Sequence, residues 1–193
     1  MDNQQKILRF FIEHREEAFT IKKAAESLNM NYRIAYTGIT GLEKEQLIRM
    51  TKLGNSNQCV FNYHFDEKIV AVENVRKKEL FKNSDIKLIY KRIKEIKNPF
   101  YILLVFGSYA NKSQSRHSDI DLCLITDNKN IKEKVNQIIS ITPIDIHLVD
   151  FSSEEFIDML SNIEPNVGHE IVKNNIILSG IENFYELVNY VKQ

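Results

Sequence analysis

The sequence has few cysteines and no long apolar run. Its 193 residues include two cysteines, Cys59 and Cys123. Two isolated cysteines build neither a disulfide framework nor a zinc site, so we expect buried thiols in a reducing, cytoplasmic compartment. No segment approaches the roughly 20 apolar residues that span a bilayer, and we expect no membrane partner. The N-terminus lacks a basic stretch followed by an apolar core, so no signal peptide is expected.

The chain also lacks net charge, internal repeats and low-complexity segments. Its zero net charge is unevenly spread: residues 1–65 carry +2, residues 66–98 carry +4, and residues 99–193 carry −6. The basic half suits contact with a polyanion and the acidic half suits cation binding, so the two halves are predicted to do different work.

The first third of the chain has the pattern of three helices followed by a β-hairpin. Apolar residues at helical spacing predict a helix over 3–17. Thr20 is interpreted as the N-cap of a short second helix, IKKAAESL. A third helix is predicted to begin after Asn31 and to turn Ile34, Ile39 and Leu42 inward. Two β-rich runs, LIRMTKL and QCVFNYHF, flank the four residues GNSN, which favour a hairpin.

The stretch TIKKAAESLNMNYRIAYTGITGLEKEQLI resembles the helix-turn-helix of winged-helix regulators, whose third helix enters the major groove of duplex DNA. The resemblance implies that Arg33, Tyr36 and Thr37 on that helix and Lys52 on the wing contact DNA. Winged helices also serve as dimerisation or protein-docking modules. A charge of +2 is modest for a DNA binder, because affinity rests largely on phosphate neutralisation.

Two further helices are predicted over 67–82 and 84–97, with Ser84 as the N-cap of the second. Their Lys and Arg residues are interpreted as a solvated face, with a nucleic-acid surface as the alternative. From residue 99 onward, strands and helices alternate, which is typical of an α/β unit on one sheet. The predicted strands are YILLVF, DIDLCLIT and PIDIHLVD, and the predicted helices are 130–141, 153–163, 166–176 and 182–191.

Two aspartates stand one residue apart at the head of the second strand. Side chains at i and i+2 of a strand point to one face, so Asp119 and Asp121 project together. Carboxylates this close repel each other, and a bound divalent cation removes the conflict. Asp145 and His147 share a face of the third strand, and Asp145 joins the pair if the two strands are neighbours. Three carboxylates suit a two-metal phosphoryl-transfer site.

Gly107 and Ser108 follow the first strand of this unit. Glycine lets the backbone turn sharply and approach a ligand closely. The N–H groups that follow, together with the Ser108 hydroxyl, can hold a phosphate. The stretch therefore predicts a triphosphate-binding loop beside the metal pair.

The motif GSYA followed by SDxDL resembles that of the minimal nucleotidyltransferases, within the DNA polymerase beta type of nucleotidyltransferase. The matching residues are Gly107, Ser108, Tyr109, Ala110, Ser118, Asp119, Asp121 and Leu122. Asp145 falls where that family has its third carboxylate. The resemblance covers roughly residues 85–175. It implies an α/β fold of the nucleotidyltransferase type, a small mixed sheet with flanking helices, preceded by the winged helix-turn-helix.

The resemblance implies Mg²⁺- or Mn²⁺-dependent transfer of a nucleotide from ATP or another nucleoside triphosphate. Asp119, Asp121 and Asp145 would hold the metal, and Asp145 could assist deprotonation of an acceptor hydroxyl. The nucleotide would be bound by Gly107, Ser108, Lys112 and Ser118. The acceptor stays open between a protein hydroxyl, an RNA end and a small molecule. Minimal nucleotidyltransferases often pair with a helical partner protein, which favours a protein acceptor.

One departure separates the chain from the family's pattern: Asn111-Lys112 stands where the family has Arg-Gly. Lys112 or Arg116 could replace the arginine as a point charge. The departure favours an alternative function, a DNA-binding transcriptional regulator whose nucleotidyltransferase-like domain binds nucleotide without turnover. A third alternative is a protein-binding module with the winged helix as the interface of a homodimer. The predicted domains are residues 1–66, a connecting helix at 67–83, and the nucleotidyltransferase-like domain at 84–193.

Overall fold

The computed structural model describes residues 1–115 and 118–192. The chain forms two compact units, Met1–Val72 together with Lys192, and Glu73–Val191. Across these described residues, no helix is long and apolar enough to cross a membrane. Both cysteines are free and buried, as predicted. Burial raises the pKa of the Cys59 thiol to about 11 and also raises that of Cys123.

The first unit combines three helices with a small antiparallel sheet. Its elements are α1 (Asn3–Glu13), β1 (Ala18–Thr20), α2 (Ile21–Ser27), α3 (Tyr32–Lys44), β2 (Ile48–Leu53) and β3 (Ser56–Phe61). The strand order is β1-β3-β2. The three helices and the hairpin agree with the predicted elements. Strand β1 was not predicted, because three residues are too few to show a period of two.

Short-range chemistry sets the ends of these elements. The Asn31 side chain accepts a hydrogen bond from the backbone N–H of Arg33 and caps α3, as predicted. The hairpin turn has two residues rather than four, since Leu53 pairs with Ser56 across it. Gly54 takes a φ of +59° in this turn, a conformation that glycine adopts without steric cost.

The inward face of α3 differs from the prediction at one residue. Ala35, Ile39 and Leu42 are fully buried, whereas Ile34 is 44% exposed. Residues 35, 39 and 42 follow the spacing of a single helix face, and position 34 lies about 100° away from position 35 around the axis. The prediction that Ile34 turns inward is wrong, because it relied on the apolar character of Ile34 and not on its position in the helical period.

From Glu67 onward the chain alternates helices with the strands of one mixed sheet. The elements are α4 (Glu67–Leu80), α5 (Ser84–Lys94), β4 (Ile102–Phe106), α6 (Gly107–Ala110), β5 (Ile120–Ile125), α7 (Lys129–Ser140), β6 (Ile146–Phe151), α8 (Ser153–Ser161), α9 (Val167–Lys173), β7 (Asn175–Ser179) and α10 (Ile181–Lys192). The strand order is β6-β5-β4-β7, with β5 and β6 parallel and the other pairs antiparallel. This architecture fits the α/β fold that was predicted.

Two local predictions in this region are wrong. The predicted helix over 166–176 ends at Lys173, and Asn175–Ser179 pairs with β4 as strand β7. The run IILS is short and continuously apolar, so periodicity cannot distinguish a buried strand from a buried helix there. The N-cap of α5 is Asn83 rather than Ser84, since the Asn83 side chain accepts from the N–H groups of Asp85 and Ile86.

Helices α5 and α7 cover one face of the mixed sheet. The buried cluster between them contains Ile86, Ile89 and Ile93 of α5, Ile131 and Val135 of α7, and Leu103, Val105, Leu122 and Leu124 of the sheet. Since strand side chains alternate, Asp121 faces the opposite side of the sheet from Leu122. The core therefore places the predicted carboxylates on the face away from α5 and α7.

Candidate active site

The parallel pairing of β5 and β6 sets the positions of the acidic side chains. Asp121 lies opposite His147 in the register, and the backbone N–H of Ile120 donates to the carbonyl of Asp145 at 3.0 Å. Asp119 and Asp145 each come immediately before the first strand residue, so they stand level with each other two residues before Asp121 and His147. The expectation that these two strands are neighbours is confirmed.

Asp121 has a histidine partner on the next strand. The Nδ1 atom of His147 lies 3.3 Å from the Oδ1 atom of Asp121. The Asp121 side chain is 27% exposed and the His147 side chain 63% exposed, so the pair opens to solvent. From the sequence, His147 was as consistent with a structural role as with a catalytic one. Its contact with Asp121 places it beside the predicted metal pair.

Gly107 lies directly against Asp121. It has a φ of +63°, and a Cβ atom at this position would collide with the Asp121 carboxylate. Both facts require glycine here, because any other residue would strain the backbone and displace the aspartate. The close approach that was predicted at this glycine therefore involves a carboxylate of the chain itself, and it holds the start of α6 next to β5.

The loop before Asp119 is fastened by hydrogen bonds that the sequence did not reveal. The Tyr109 hydroxyl donates to the carbonyl of Ser118 at 3.3 Å. The Ser118 hydroxyl oxygen accepts from the backbone N–H of Ser115 at 2.8 Å. These contacts tie Ser118 to the loop and to α6, so they fix the backbone from which Asp119 projects. Ser108 lies half-buried in α6, one residue from Gly107.

Lys112 occupies the position at which the family's Arg-Gly pattern has glycine. It is exposed and adopts a φ of +60°, the left-handed conformation that glycine favours. The turn for which the family uses glycine is therefore formed here by a lysine, at a cost of roughly 1–2 kcal/mol. Arg116, the other predicted point charge, and His117 lie outside the described residues.

The chemistry of the donor set suits magnesium. Carboxylate oxygens are hard ligands, and Asp119 and Asp145 are exposed while Asp121 is half-buried. Within residues 1–115 and 118–192, no group of three or more His, Cys, Asp or Glu side chains stands close enough together to hold a metal ion. Magnesium commonly takes one or two protein carboxylates and completes its shell with water and phosphate oxygens. Asp119 and Asp121 fit that smaller requirement.

The residues predicted to contact DNA lie on the surface of the first unit. Arg33, Tyr36 and Thr37 are exposed on α3, and Lys52 is exposed on β2. The Thr37 hydroxyl donates to the carbonyl of Arg33 at 2.9 Å, so its proton is used within the helix. Because all four side chains are exposed, they are accessible to a ligand.

Comparison with protein families supports the assignment of the second unit. A mixed sheet that carries paired aspartates beside a Gly-Ser turn has the residue types that phosphoryl transfer uses. Residues 85–182, about half of the chain, match the family described as Polymerase beta, Nucleotidyltransferase, and the chain belongs to this family. The match includes the Gly107-Ser108 turn and all three aspartates. A search of curated proteins finds no match to the chain.

Proposed function

We propose that the protein is a magnesium-dependent nucleotidyltransferase that moves a nucleotide, AMP from ATP, onto a hydroxyl acceptor. The observation that carries this proposal is the parallel register of β5 and β6, which sets Asp119 level with Asp145, two residues before Asp121 and His147. Asp119 and Asp145 are exposed, so packing of the core does not explain their presence on this face. The contact of Gly107 with Asp121 links them to the turn where a phosphate chain would lie.

The proposed reaction forms a bond between the acceptor oxygen and the α-phosphorus and breaks the bond from that phosphorus to the β-phosphate oxygen. Pyrophosphate leaves, and the hydroxyl proton passes to Asp145, which immediately precedes the edge strand β6 and is exposed to an acceptor. Asp119 and Asp121 hold the metal, while Ser108, Lys112 and Ser118 orient the phosphates. The metal, when bound, neutralises charge on the triphosphate.

Calorimetric titration of ATP tests the nucleotide site. Wild-type protein should bind ATP with Mg²⁺ and lose most of that binding when EDTA replaces Mg²⁺. The variant Asp119→Asn/Asp121→Asn should bind at least about tenfold more weakly, because it loses two metal ligands. Asp158→Asn removes an exposed carboxylate from α8 and serves as the control with unchanged binding. If the wild type binds none of the four nucleoside triphosphates, the nucleotide site is refuted.

Transfer itself needs a second measurement with ATP labelled at the α-phosphate. Label should appear on the protein, on RNA or on a small acceptor, and Asp145→Asn should abolish it while leaving ATP binding largely intact. If ATP binds but no label moves to any of these acceptors, the alternative function applies: a regulator that senses nucleotide. The Asn111-Lys112 departure supports that alternative.

We further propose that the first unit is a winged helix-turn-helix that binds duplex DNA. The exposed Arg33 and Tyr36 on α3 and Lys52 on β2 support this role. Fluorescence anisotropy with random duplex at low salt should show binding that Arg33→Ala and Lys52→Ala weaken and that added salt reduces. Lys6→Ala, on the exposed surface of α1 outside the helix-turn-helix, is the control. No binding at low salt would instead favour a protein-docking role for this unit.

A further inference from the structure

A groove of about 830 Å³ lies between α5 and α7, on the helices that cover the sheet face opposite Asp121. Its apolar lining comes from isoleucines, and its rim carries cations. The lining residues are Arg92, Glu95, Ile96, Lys97, Lys134, Gln137, Ile138 and Ile141. This groove is separate from the carboxylate site, because that site opens on the other face of the sheet.

The apolar part of the groove ends at the solvent-exposed side chain of Ile141. Ile141 follows α7 and is 75% exposed, while Ile96 and Ile138 are half-buried. Together the three isoleucines form an apolar strip that is partly exposed to water. A partner that covers this strip gains binding free energy from the burial of apolar surface.

The rim of the groove is positively charged. Lys97 and Lys134 also line a smaller cavity of about 210 Å³ next to the groove, so both cavities share these two cations. Neither lysine forms an ion pair with an acidic residue in the described part of the chain. Arg92 donates to the Thr142 hydroxyl at 2.9 Å, and Glu95 is the only acidic residue of the lining. An occupant should therefore combine an apolar side chain with a carboxylate.

The same chain presents that combination elsewhere on the second unit. Ile163 lies between α8 and α9 and is 98% exposed. Glu164 follows it and is also exposed, and Asp158 is exposed on the preceding helix. The Asn162 side chain accepts from the N–H of Glu164 at 3.0 Å, which fixes the backbone at this point. The segment offers an isoleucine with an acidic neighbour.

We infer that the α5–α7 groove is an interface between two copies of this chain. Ile163 of one copy packs beside Ile141 of the other, and Glu164 pairs with Lys134 and Lys97 across the contact. The contact joins two different surfaces of the chain, so it is heterologous, and two copies joined through it form a head-to-tail dimer. A second copy is favoured over a different protein because the chain itself carries both the basic apolar groove and the acidic apolar segment. The inference is independent of the proposed transfer reaction.

Sedimentation velocity of the full chain over a wide concentration range tests the interface. Wild type should associate to a dimer, with larger species at the highest concentrations because a heterologous contact can repeat. Lys134→Glu and Glu164→Lys should each weaken dimerisation by about tenfold or more, because like charges then face each other. The combined variant restores an opposite-charge pair and should recover most of the wild-type affinity. Ile163→Gln should also weaken the dimer.

Two charge reversals outside the groove serve as controls. Lys78→Glu on α4 and Glu186→Lys on α10 change the net charge by the same amount at exposed positions and should leave the dimerisation constant unchanged. A wild-type chain that stays monomeric at every concentration would overturn the inference. So would a dimer that neither Lys134→Glu nor Glu164→Lys weakens, or a charge-swapped variant that fails to recover.

Discussion

At the residue scale, two left-handed backbone positions enclose the short helix α6. Gly107 is its first residue and has a φ of +63°, and Lys112 lies just beyond its end with a φ of +60°. The first is occupied by the residue type that suits it and also contacts Asp121; the second is not. The geometry of the candidate phosphate-binding turn therefore depends on one satisfied and one strained position.

Replacing Gly107 by alanine tests the contact with Asp121. Gly54→Ala is a matched control, because Gly54 has a φ of +59° but nothing lies near its Cβ position. Gly54→Ala should cost only the left-handed strain, about 1–2 kcal/mol of unfolding free energy. Gly107→Ala should cost more and should also lower the proposed nucleotide transfer by about 100-fold, because Asp121 is displaced. Equal costs in urea unfolding and intact activity would contradict the contact.

Replacing Lys112 by glycine should stabilise the protein. Glycine removes the left-handed strain at the expense of a more flexible unfolded chain, so the expected gain is about 0.5–1 kcal/mol. Gln46→Gly, at a φ of +61° in the first unit, should behave similarly. Urea unfolding measures both changes. If Lys112→Gly also weakens ATP binding while Gln46→Gly does not, the proposed contact of Lys112 with phosphate is supported.

At the element scale, the start of α5 shows that local sequence can indicate a helix end while two adjacent residues compete to be its N-cap. Asn83 and Ser84 are both good N-cap residues in sequence. The structure selects Asn83, whose side-chain oxygen accepts two backbone hydrogen bonds at 2.9 and 3.1 Å. A one-residue shift of this kind follows from the path of the preceding turn, which the sequence does not show.

Alanine substitutions at these two positions measure the cap directly. Asn83→Ala should lower the free energy of unfolding by about 1 kcal/mol, because two helix N–H groups lose their partner. Ser84→Ala should change it by less than about 0.5 kcal/mol, since Ser84 is an exposed residue of the first turn. Thermal or urea unfolding compares the two. The reverse order of effects would restore Ser84 as the cap.

Also at the element scale, the predictability of the fold follows the range of the interactions. Helices α7 and α10 have a clear apolar period, and Asn128 caps α7, so both helices were found from the sequence. Strand β7 was missed because its burial comes from β4, about 70 residues earlier in the chain. The shared face of Asp119 and Asp121 needs only strand geometry, whereas the contacts of Asp121 with Gly107 and His147 depend on pairings between separate elements.

At the scale of the whole molecule, the second unit is joined by a buried polar network between distant segments. Glu73 is fully buried and Arg76 is 5% exposed, both on α4. Arg76 donates to Glu73 at 2.6 Å and to the carbonyl of Asn175 at 2.7 Å. The Tyr185 hydroxyl donates to the second Glu73 oxygen at 2.6 Å. This network connects α4, β7 and α10 through contacts that no local sequence pattern reveals.

Removing one member of this network should destabilise the unit in proportion to the charge left unpaired. Arg76→Met leaves the Glu73 carboxylate buried without its cation, which should cost about 3–5 kcal/mol. Tyr185→Phe removes a single hydrogen bond to that carboxylate and should cost about 1–3 kcal/mol. Tyr190→Phe on the same helix, at a position 71% exposed, should stay within about 0.5 kcal/mol of wild type.

Combining Glu73→Gln with Arg76→Met distinguishes an unpaired charge from lost packing. If the cost of Arg76→Met comes from the buried carboxylate, the double variant should recover a large part of the stability, because neither charge remains. If the cost comes from the volume and contacts of the arginine, the double variant should be no more stable than the single one. Urea unfolding of the wild type, both single variants and the double variant completes this cycle, and it decides whether electrostatics or packing holds α4 to the sheet.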